Sequence, residues 1–82
     1  MSVPADLLAE IEVLNLFPDG SIREGIKVHH DAAPELVSAA KRLFEKGLID
    51  QPDGGYLSSL GIDAVEHVHG LLTILTSNSG KK

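Results

Sequence analysis

The chain has 82 residues, of which 12 are acidic and 7 are basic, and its formal net charge is −5. This length allows one domain with a modest core, and the absence of cysteine excludes disulfides and thiolate chemistry. No apolar run approaches the ~20 residues of a membrane helix, and the N-terminus lacks the charged and apolar regions of a signal peptide, so we expect a cytoplasmic protein without a membrane partner.

The first element is a helix predicted over Pro4 to Phe17. Ser2 can cap its start, and the proline fits the first turn, where an N–H has no helical partner. The sequence FPDG at residues 17–20 then ends the helix with a turn. Helical spacing assigns Glu10 and Glu12 to the outward side. The inward positions are Leu7, Leu8, Ile11 and Leu14, with Asn15 as a further candidate.

Residues 21–30 allow two interpretations. The sequence SIRE at residues 21–24 has the capping-box spacing of a helix start. In contrast, IKVH at residues 26–29 alternates like a strand and follows Gly25, which disfavours a helix. We favour the strand over residues 26–29, preceded by one helical turn at most.

The next helix is predicted to begin between Asp31 and Pro34 and to run to about Lys46. Asp31 can cap it, and Pro34 is tolerated only in the first turn. Gly47 suits the C-terminal end, because glycine readily adopts the left-handed conformation. One apolar face, at helical spacing, collects Leu36, Ala40, Leu43 and Phe44.

A β-hairpin is predicted directly behind Gly47. Residues 48–49 lead into the turn sequence QPDGG at residues 51–55, and residues 56–57 return. Proline fixes φ, aspartate tolerates a tight turn and glycine supplies a positive φ, so this composition is typical of a hairpin.

The last helix is predicted to begin after Ser58 or Ser59, either of which can cap it, and to extend to about Thr76. The polar residues 77–82 form a tail that we expect to be disordered. The apolar positions of the helix cover more than one narrow stripe, which indicates either a contact outside its own domain or a surface that covers the first helix. The candidate interface residues are Val65, Val68, Leu72 and Leu75.

The helix ending in RLFEKGLI, the hairpin and the segment YLSSLGIDAVEHV resemble the second half of a winged helix-turn-helix domain. The resemblance implies that the helix ending near Lys46 is the recognition helix, that the hairpin is the wing and that the last helix closes the core. The whole chain also resembles a small bacterial family of uncharacterised proteins, described at most as DNA-binding. The expected fold is a small α+β, winged-helix-like domain over residues 1–76, with three main helices and a β-hairpin wing. The strand interpretation adds a third short strand and leaves the first helix of the helix-turn-helix degenerate.

If the recognition helix and the wing bind duplex DNA, six residues are candidate contacts. Arg42 is the only one of them capable of a bidentate contact with guanine. The wing tip, however, carries Asp50 and Asp53 without a lysine or arginine, and the acidic chain repels phosphates. The candidates are Ser38, Lys41, Arg42 and Lys46 on the helix, and Gln51 and Tyr56 on the wing.

Two hypotheses for the function follow. The family resemblance favours a DNA-binding, transcription-associated protein, whose affinity for DNA would fall steeply with salt. The charge and the broad apolar surface of the last helix favour an acidic protein–protein interaction module without DNA affinity. Such a module would bind a partner protein or form a symmetric homodimer, and the resemblance implies that the terminal helix often supplies the dimer contacts.

No catalytic or cofactor site is predicted. The histidines form the pairs His29/His30 and His67/His69, and the two members of each pair point apart, so a pair cannot chelate one metal ion. The two serines before the last helix lack a G-x-S-x-G sequence, and the chain has no P-loop or dinucleotide fingerprint. We therefore expect a non-enzymatic protein without a cofactor or a metal.

Overall fold

A computed structural model of the chain describes residues 3–18 and 24–77. Ser2, part of the FPDG turn, most of the SIRE segment and the tail beyond Ser77 lie outside these ranges. The elements, in chain order, are α1 (Ala5–Leu14), β1 (Ile26–Lys27), α2 (Pro34–Glu45), β2 (Ile49–Gln51), β3 (Gly54–Leu57) and α3 (Ser59–Thr76).

The three strands form an antiparallel sheet in the order β1-β3-β2. Ile26 pairs with Gly55, and Lys27 pairs with Gly54, which confirms the strand interpretation over a shorter stretch than residues 26–29. Gly54 has a φ of +136°, and a Cβ there would overlap the carbonyl oxygen of Ile26, so the close approach of β1 to β3 requires glycine. The predicted α+β, winged-helix-like layout is confirmed.

Residues 28–33 connect β1 to α2 without a helix. The Val28 N–H still donates to the Asp53 carbonyl oxygen at 2.7 Å, and the Ala32 N–H closes a single turn onto the His29 carbonyl oxygen at 2.9 Å. Pro34 then opens α2 in its first turn, as predicted. The connection is too short for a further helix, so the helix-turn-helix is incomplete at this point of the described chain.

Gly47 ends α2 with a φ of +86°. The Leu48 N–H donates to the Leu43 carbonyl oxygen at 2.9 Å, and the Gly47 N–H donates to the Phe44 carbonyl oxygen at 3.0 Å. These two bonds define a Schellman motif. The hairpin follows at once, as the sequence predicted.

Ser58 caps α3. Its Oγ accepts a hydrogen bond from the Gly61 N–H at 3.0 Å and donates to the Gly47 carbonyl oxygen at 2.6 Å. The Ser58 N–H also donates to the Leu48 carbonyl oxygen at 2.9 Å. The cap therefore joins the beginning of α3 to the end of α2, and the prediction of a serine cap is confirmed.

The core lies between the three helices and one face of the sheet. Leu43, Val13 and Phe17 are among the side chains that are almost completely buried. The buried apolar residues are Ala9, Val13, Leu14, Phe17, Val28, Ala39, Ala40, Leu43, Ile49 and Val65.

The predicted inward face of α1 is partly wrong. Leu14 is buried, but Leu7 and Leu8 are 42% and 51% exposed, and Glu10 is buried. Compared with the prediction, α1 is rotated about its own axis, because its contact with α2 uses the small side chain of Ala9 and the carboxylate of Glu10.

The apolar face predicted for α2 is correct except for Phe44. Ala40 and Leu43 are buried and Leu36 is half-buried, whereas Phe44 is 41% exposed. Ala39 is buried instead, because the buried side of α2 faces the space between α1 and the sheet. Within residues 3–18 and 24–77, none of the helices has the length and apolarity that a membrane crossing requires.

Candidate functional site

The surface predicted to contact DNA consists of α2 and the hairpin β2–β3. On the outward side of α2, Ser38, Lys41 and Glu45 are exposed to solvent. Arg42 and Lys46 lie instead on the side of α2 that faces α1. The candidate residues on this helix are therefore divided between two sides.

Arg42 and Lys46 both bind Glu10. Arg42 Nε donates to Glu10 Oε2 at 2.8 Å, and Lys46 Nζ donates to Glu10 Oε1 at 2.5 Å. Arg42 Nη2 also donates to the carbonyl oxygen of Asp6 at 3.1 Å. The Glu10 side chain is 7% exposed and that of Arg42 is 29% exposed. The prediction that Arg42 is an exposed and available donor is wrong, because α1 holds its guanidinium group.

The charges of this cluster reinforce one another. Burial opposes ionisation of the Glu10 carboxyl, but the hydrogen bonds and positive charges of Lys46 and Arg42 outweigh it and hold the pKa of Glu10 below its usual value. The hydrogen bond to Glu10 likewise raises the pKa of Arg42. Glu10 and Arg42 are therefore charged at neutral pH, and the Glu10 carboxylate bridges two basic side chains.

The sequence contained no local sign of this cluster. Glu10 is separated from Arg42 by 32 positions and from Lys46 by 36. A glutamate next to the apolar positions of one helix, with two cations four residues apart on another helix, is the distant pattern that could have indicated it.

The acidic residues of the wing take part in the hairpin. Asp50 Oδ1 accepts a hydrogen bond from the Tyr56 N–H at 2.9 Å. Asp53 Oδ2 lies 3.4 Å from Lys27 Nζ, and both side chains are about half exposed or more, at 49% and 63%. Gln51 and Tyr56, the predicted DNA contacts on the wing, are exposed. The wing thus presents two carboxylates beside its two uncharged candidates.

A groove of about 230 Å³ lies between β1, the wing turn and α2. Its lining includes the apolar residues Val37 and Ala40 and the polar residues Lys27, His30, Lys41 and Asp53. Lys41 forms no ion pair with another residue of the described chain. Lys27, in contrast, is paired with Asp53, which also lines the groove.

The histidines do not form a site together. His67 Nδ1 lies 2.7 Å from the carbonyl oxygen of Asp63, one turn earlier in α3. Within the described ranges, no group of three or more histidine, aspartate or glutamate side chains is arranged to hold a metal ion.

The predicted interface on α3 is divided by the fold. Val65 is fully buried in the core, so its assignment to an interface is wrong. Val68 and Leu72 are half-buried, and only Leu75 is well exposed, at 68%. The sequence analysis treated all apolar positions of α3 as one set, whereas the helix uses one side for the core.

A second set of apolar side chains on α3 is exposed. Leu60 is 56% exposed, Leu71 is 53% exposed and Ile74 is 73% exposed. Sequence reasoning missed these residues, although their positions could have been separated from the buried set by helical spacing once Val65 was placed inside.

Comparison with known families gives one match. The model of a family described as a family of unknown function (DUF5669) matches residues 1–76. No curated protein and no solved structure matches the chain.

Proposed function

The chain belongs to DUF5669, a family of unknown function, and we propose that it is a non-enzymatic protein-interaction module with little affinity for DNA. The proposal is supported by the charges on α2, by the acidic wing and by the exposed apolar surface of α3. The layout of helices and strands is winged-helix-like, but such layouts serve several kinds of binding. The function therefore has to be inferred from the residues on the surface.

The observation that carries the proposal is the bridge between Glu10 and two cations of α2. A DNA-reading helix needs arginine or lysine side chains that reach phosphates and base edges. Here Arg42 donates to Glu10 and to the backbone of Asp6, and Lys46 donates to the same carboxylate. Redirecting Arg42 to guanine would leave the Glu10 carboxylate, which is 7% exposed, with one partner fewer.

The remaining surface of α2 and the wing supports the same proposal. The exposed cation Lys41 shares the outward side of α2 with the exposed carboxylate of Glu45. Lys27 is paired with Asp53, and Asp50 adds a second carboxylate to the wing. The balance of charge on this face is unfavourable for a phosphate backbone.

A second candidate function is DNA binding by the wing and α2. It is favoured by the groove whose lining combines Lys27, His30 and Lys41 with apolar residues. These three residues would contact phosphates, and the wing would follow the backbone. This candidate requires strong dependence of the affinity on salt.

Fluorescence anisotropy with random duplex DNA, at low and moderate salt, tests the proposal. We expect the wild-type chain to bind more weakly than about 100 μM at about 50 mM salt. The matched variant Glu10→Gln removes the negative charge that pairs with Arg42 and Lys46, and we expect it to gain weak, salt-sensitive binding. Circular dichroism of both proteins controls for folding.

The opposite result identifies the second candidate. Tight, salt-sensitive binding by the wild-type chain, reduced at least tenfold in Lys41→Ala and in Lys27→Ala, would overturn the proposed function. Glu12→Gln removes the same charge as Glu10→Gln, but at an exposed position of α1. It is the control for the change in net charge in Glu10→Gln.

A further inference from the structure

We propose that the groove between β1, the wing turn and α2 binds the C-terminus of a partner protein, with the terminal carboxylate on Lys41 and an apolar last side chain against Val37 and Ala40. The inference rests on the proposed function, since it names the chemistry of the partner that the interaction module takes. The groove, called the α2–wing groove here, has a volume of about 230 Å³.

The helix α2 places an apolar side chain and a cation next to each other in this groove. Val37 and Lys41 both line it and are one helical turn apart, so their Cβ atoms lie about 5–6 Å from each other. Ala40, Val28 and Pro52 continue the apolar part of the lining. A terminal carboxylate and the last side chain of a peptide are likewise close together, because both are attached to one Cα. The groove thus offers neighbouring partners to these two groups.

Lys41 is the cation of the groove that is left for a ligand. Lys27 Nζ already lies 3.4 Å from Asp53 Oδ2, and both of these residues line the groove. Lys41, in contrast, has no ion pair within residues 3–18 and 24–77. The lining therefore carries two lysines against one carboxylate, which leaves one positive charge for a ligand. His30, also in the lining, adds ring nitrogens that can hydrogen-bond to a carboxylate or to a peptide backbone.

The surroundings of the groove favour a ligand with a single negative charge. Glu45 is exposed one turn beyond Lys41 on α2, and Asp50 adds a carboxylate to the wing. At a net charge of −5, the chain as a whole also repels a polyanion. A nucleic acid or a long acidic segment brings many charges near these carboxylates, whereas the C-terminus of a peptide brings one. Charge complementarity therefore selects a chain end with an apolar last residue.

An NMR titration of the full chain with short peptides tests the inference. The probe is a hexapeptide of glycine and serine that ends in leucine, either as the free acid or as the C-terminal amide. We expect the free acid to bind with a Kd of about 0.1–1 mM, because one ion pair and one small apolar contact are available. The amide, and a free acid that ends in serine, should each bind at least threefold more weakly. The backbone signals of residues 27–30 and 37–41 should shift most.

Matched lysine variants test the position of the carboxylate. Lys41→Gln should weaken binding of the free acid at least threefold and remove its preference over the amide. Lys46→Gln takes the same charge from the side of α2 that faces α1, and it should change the affinity less than twofold. The amide spectrum of each variant shows whether its fold is that of the wild type.

Four results would overturn the inference. They are equal binding of the free acid and the amide, equal losses in the two lysine variants, shifts that lie mainly outside the groove, and no binding of the free acid at ~5 mM. An amidated peptide with an internal aspartate that binds as tightly as the free acid would overturn the assignment to a chain end.

The two proposals fail separately. Tight, salt-sensitive binding of duplex DNA would overturn the proposed function, whatever the peptides do. Absence of peptide binding in a chain without DNA affinity would overturn the α2–wing groove as the docking surface and leave a module that binds its partner elsewhere.

Discussion

Glu10 and Arg42 join α1 to α2 through a hydrogen bond of 2.8 Å between residues 32 positions apart in the chain. Lys46 binds the other oxygen of the same carboxylate, so both oxygens of Glu10 have a cationic partner. This bridge fixes the rotation of α1 and removes two cations from the surface that a recognition helix would present. One cluster therefore affects both stability and function.

Replacing Glu10 by glutamine should destabilise the fold. The variant keeps the size of the side chain but loses the charge that pairs with Arg42 and Lys46. We expect the free energy of unfolding to fall by about 1–2 kcal/mol, because both cations remain partly solvated and the full loss of a buried pair is not reached. Urea denaturation measures the loss. Glu12→Gln should change stability by less than about 0.5 kcal/mol, and an equal loss in both variants would contradict this role of Glu10.

The stabilisation by Glu10 should depend on pH. Its pKa is lowered in the folded chain, so its contribution is fully present above the ordinary glutamate pKa, about 4.3, and is lost as the pH falls through the lower folded-state pKa. The difference in unfolding free energy between the wild type and Glu10→Gln should therefore be constant near neutral pH and shrink below about pH 4. Urea titrations in steps from pH 7 into this range measure it. A difference that persists or grows in acid would show that the carboxylate is not the source.

Two glycines of α3 should respond in opposite directions to alanine. A Cβ at Gly61 would overlap the Leu48 carbonyl oxygen and lie 3.0 Å from Leu57 Cδ2, whereas a Cβ at Gly70 meets nothing within 4 Å. We expect Gly61→Ala to lower the unfolding free energy by more than about 2 kcal/mol. Gly70→Ala should raise it by about 0.5–1 kcal/mol, because alanine favours the helix. Denaturation at low protein concentration compares the two, and stabilisation by Gly61→Ala would argue against the close packing of α3 on Leu48 and Leu57.

Ser58 should contribute more to stability than its neighbour. Its hydroxyl accepts from the Gly61 N–H and donates to the Gly47 carbonyl oxygen. Ser58→Ala removes both bonds, and we expect a loss of about 1–2 kcal/mol. Ser59→Ala, in the first turn of α3 and exposed, serves as the matched control in thermal unfolding. Similar losses for the two serines would mean that the cap does not secure the helix.

The sequence predicted the features of this fold that depend on local chemistry. Gly47, Pro34 and Ser58 act within a few residues of their own positions, through a positive φ, a fixed φ and a side-chain cap. The hairpin likewise follows from its turn composition. Such features require no knowledge of what packs against them, and the structure has each of them where it was expected.

Contacts between distant elements were less predictable. In α1, the residues Leu7, Leu8 and Ile11 recur at helical spacing, and so do Ala9 and Val13, so the pattern fits two faces equally well. The choice is made by Arg42 and Lys46, more than 30 positions away. The same reason explains the wrong prediction for Arg42. An arginine on a helix surface is interpreted as free to contact DNA until its partner within the protein is known.

The two ends of α3 are held very differently. Its first turn is fixed by Ser58 and by the contact of Gly61 with Leu48, whereas Ile74 and Leu75 near its end are 73% and 68% exposed. Backbone amides should therefore exchange with deuterium slowly around Val65 and quickly after Leu71, along a gradient of local unfolding. In an isolated chain we expect the last turns to open and close while the domain stays folded, and slower exchange there at higher protein concentration would report that another molecule has covered them.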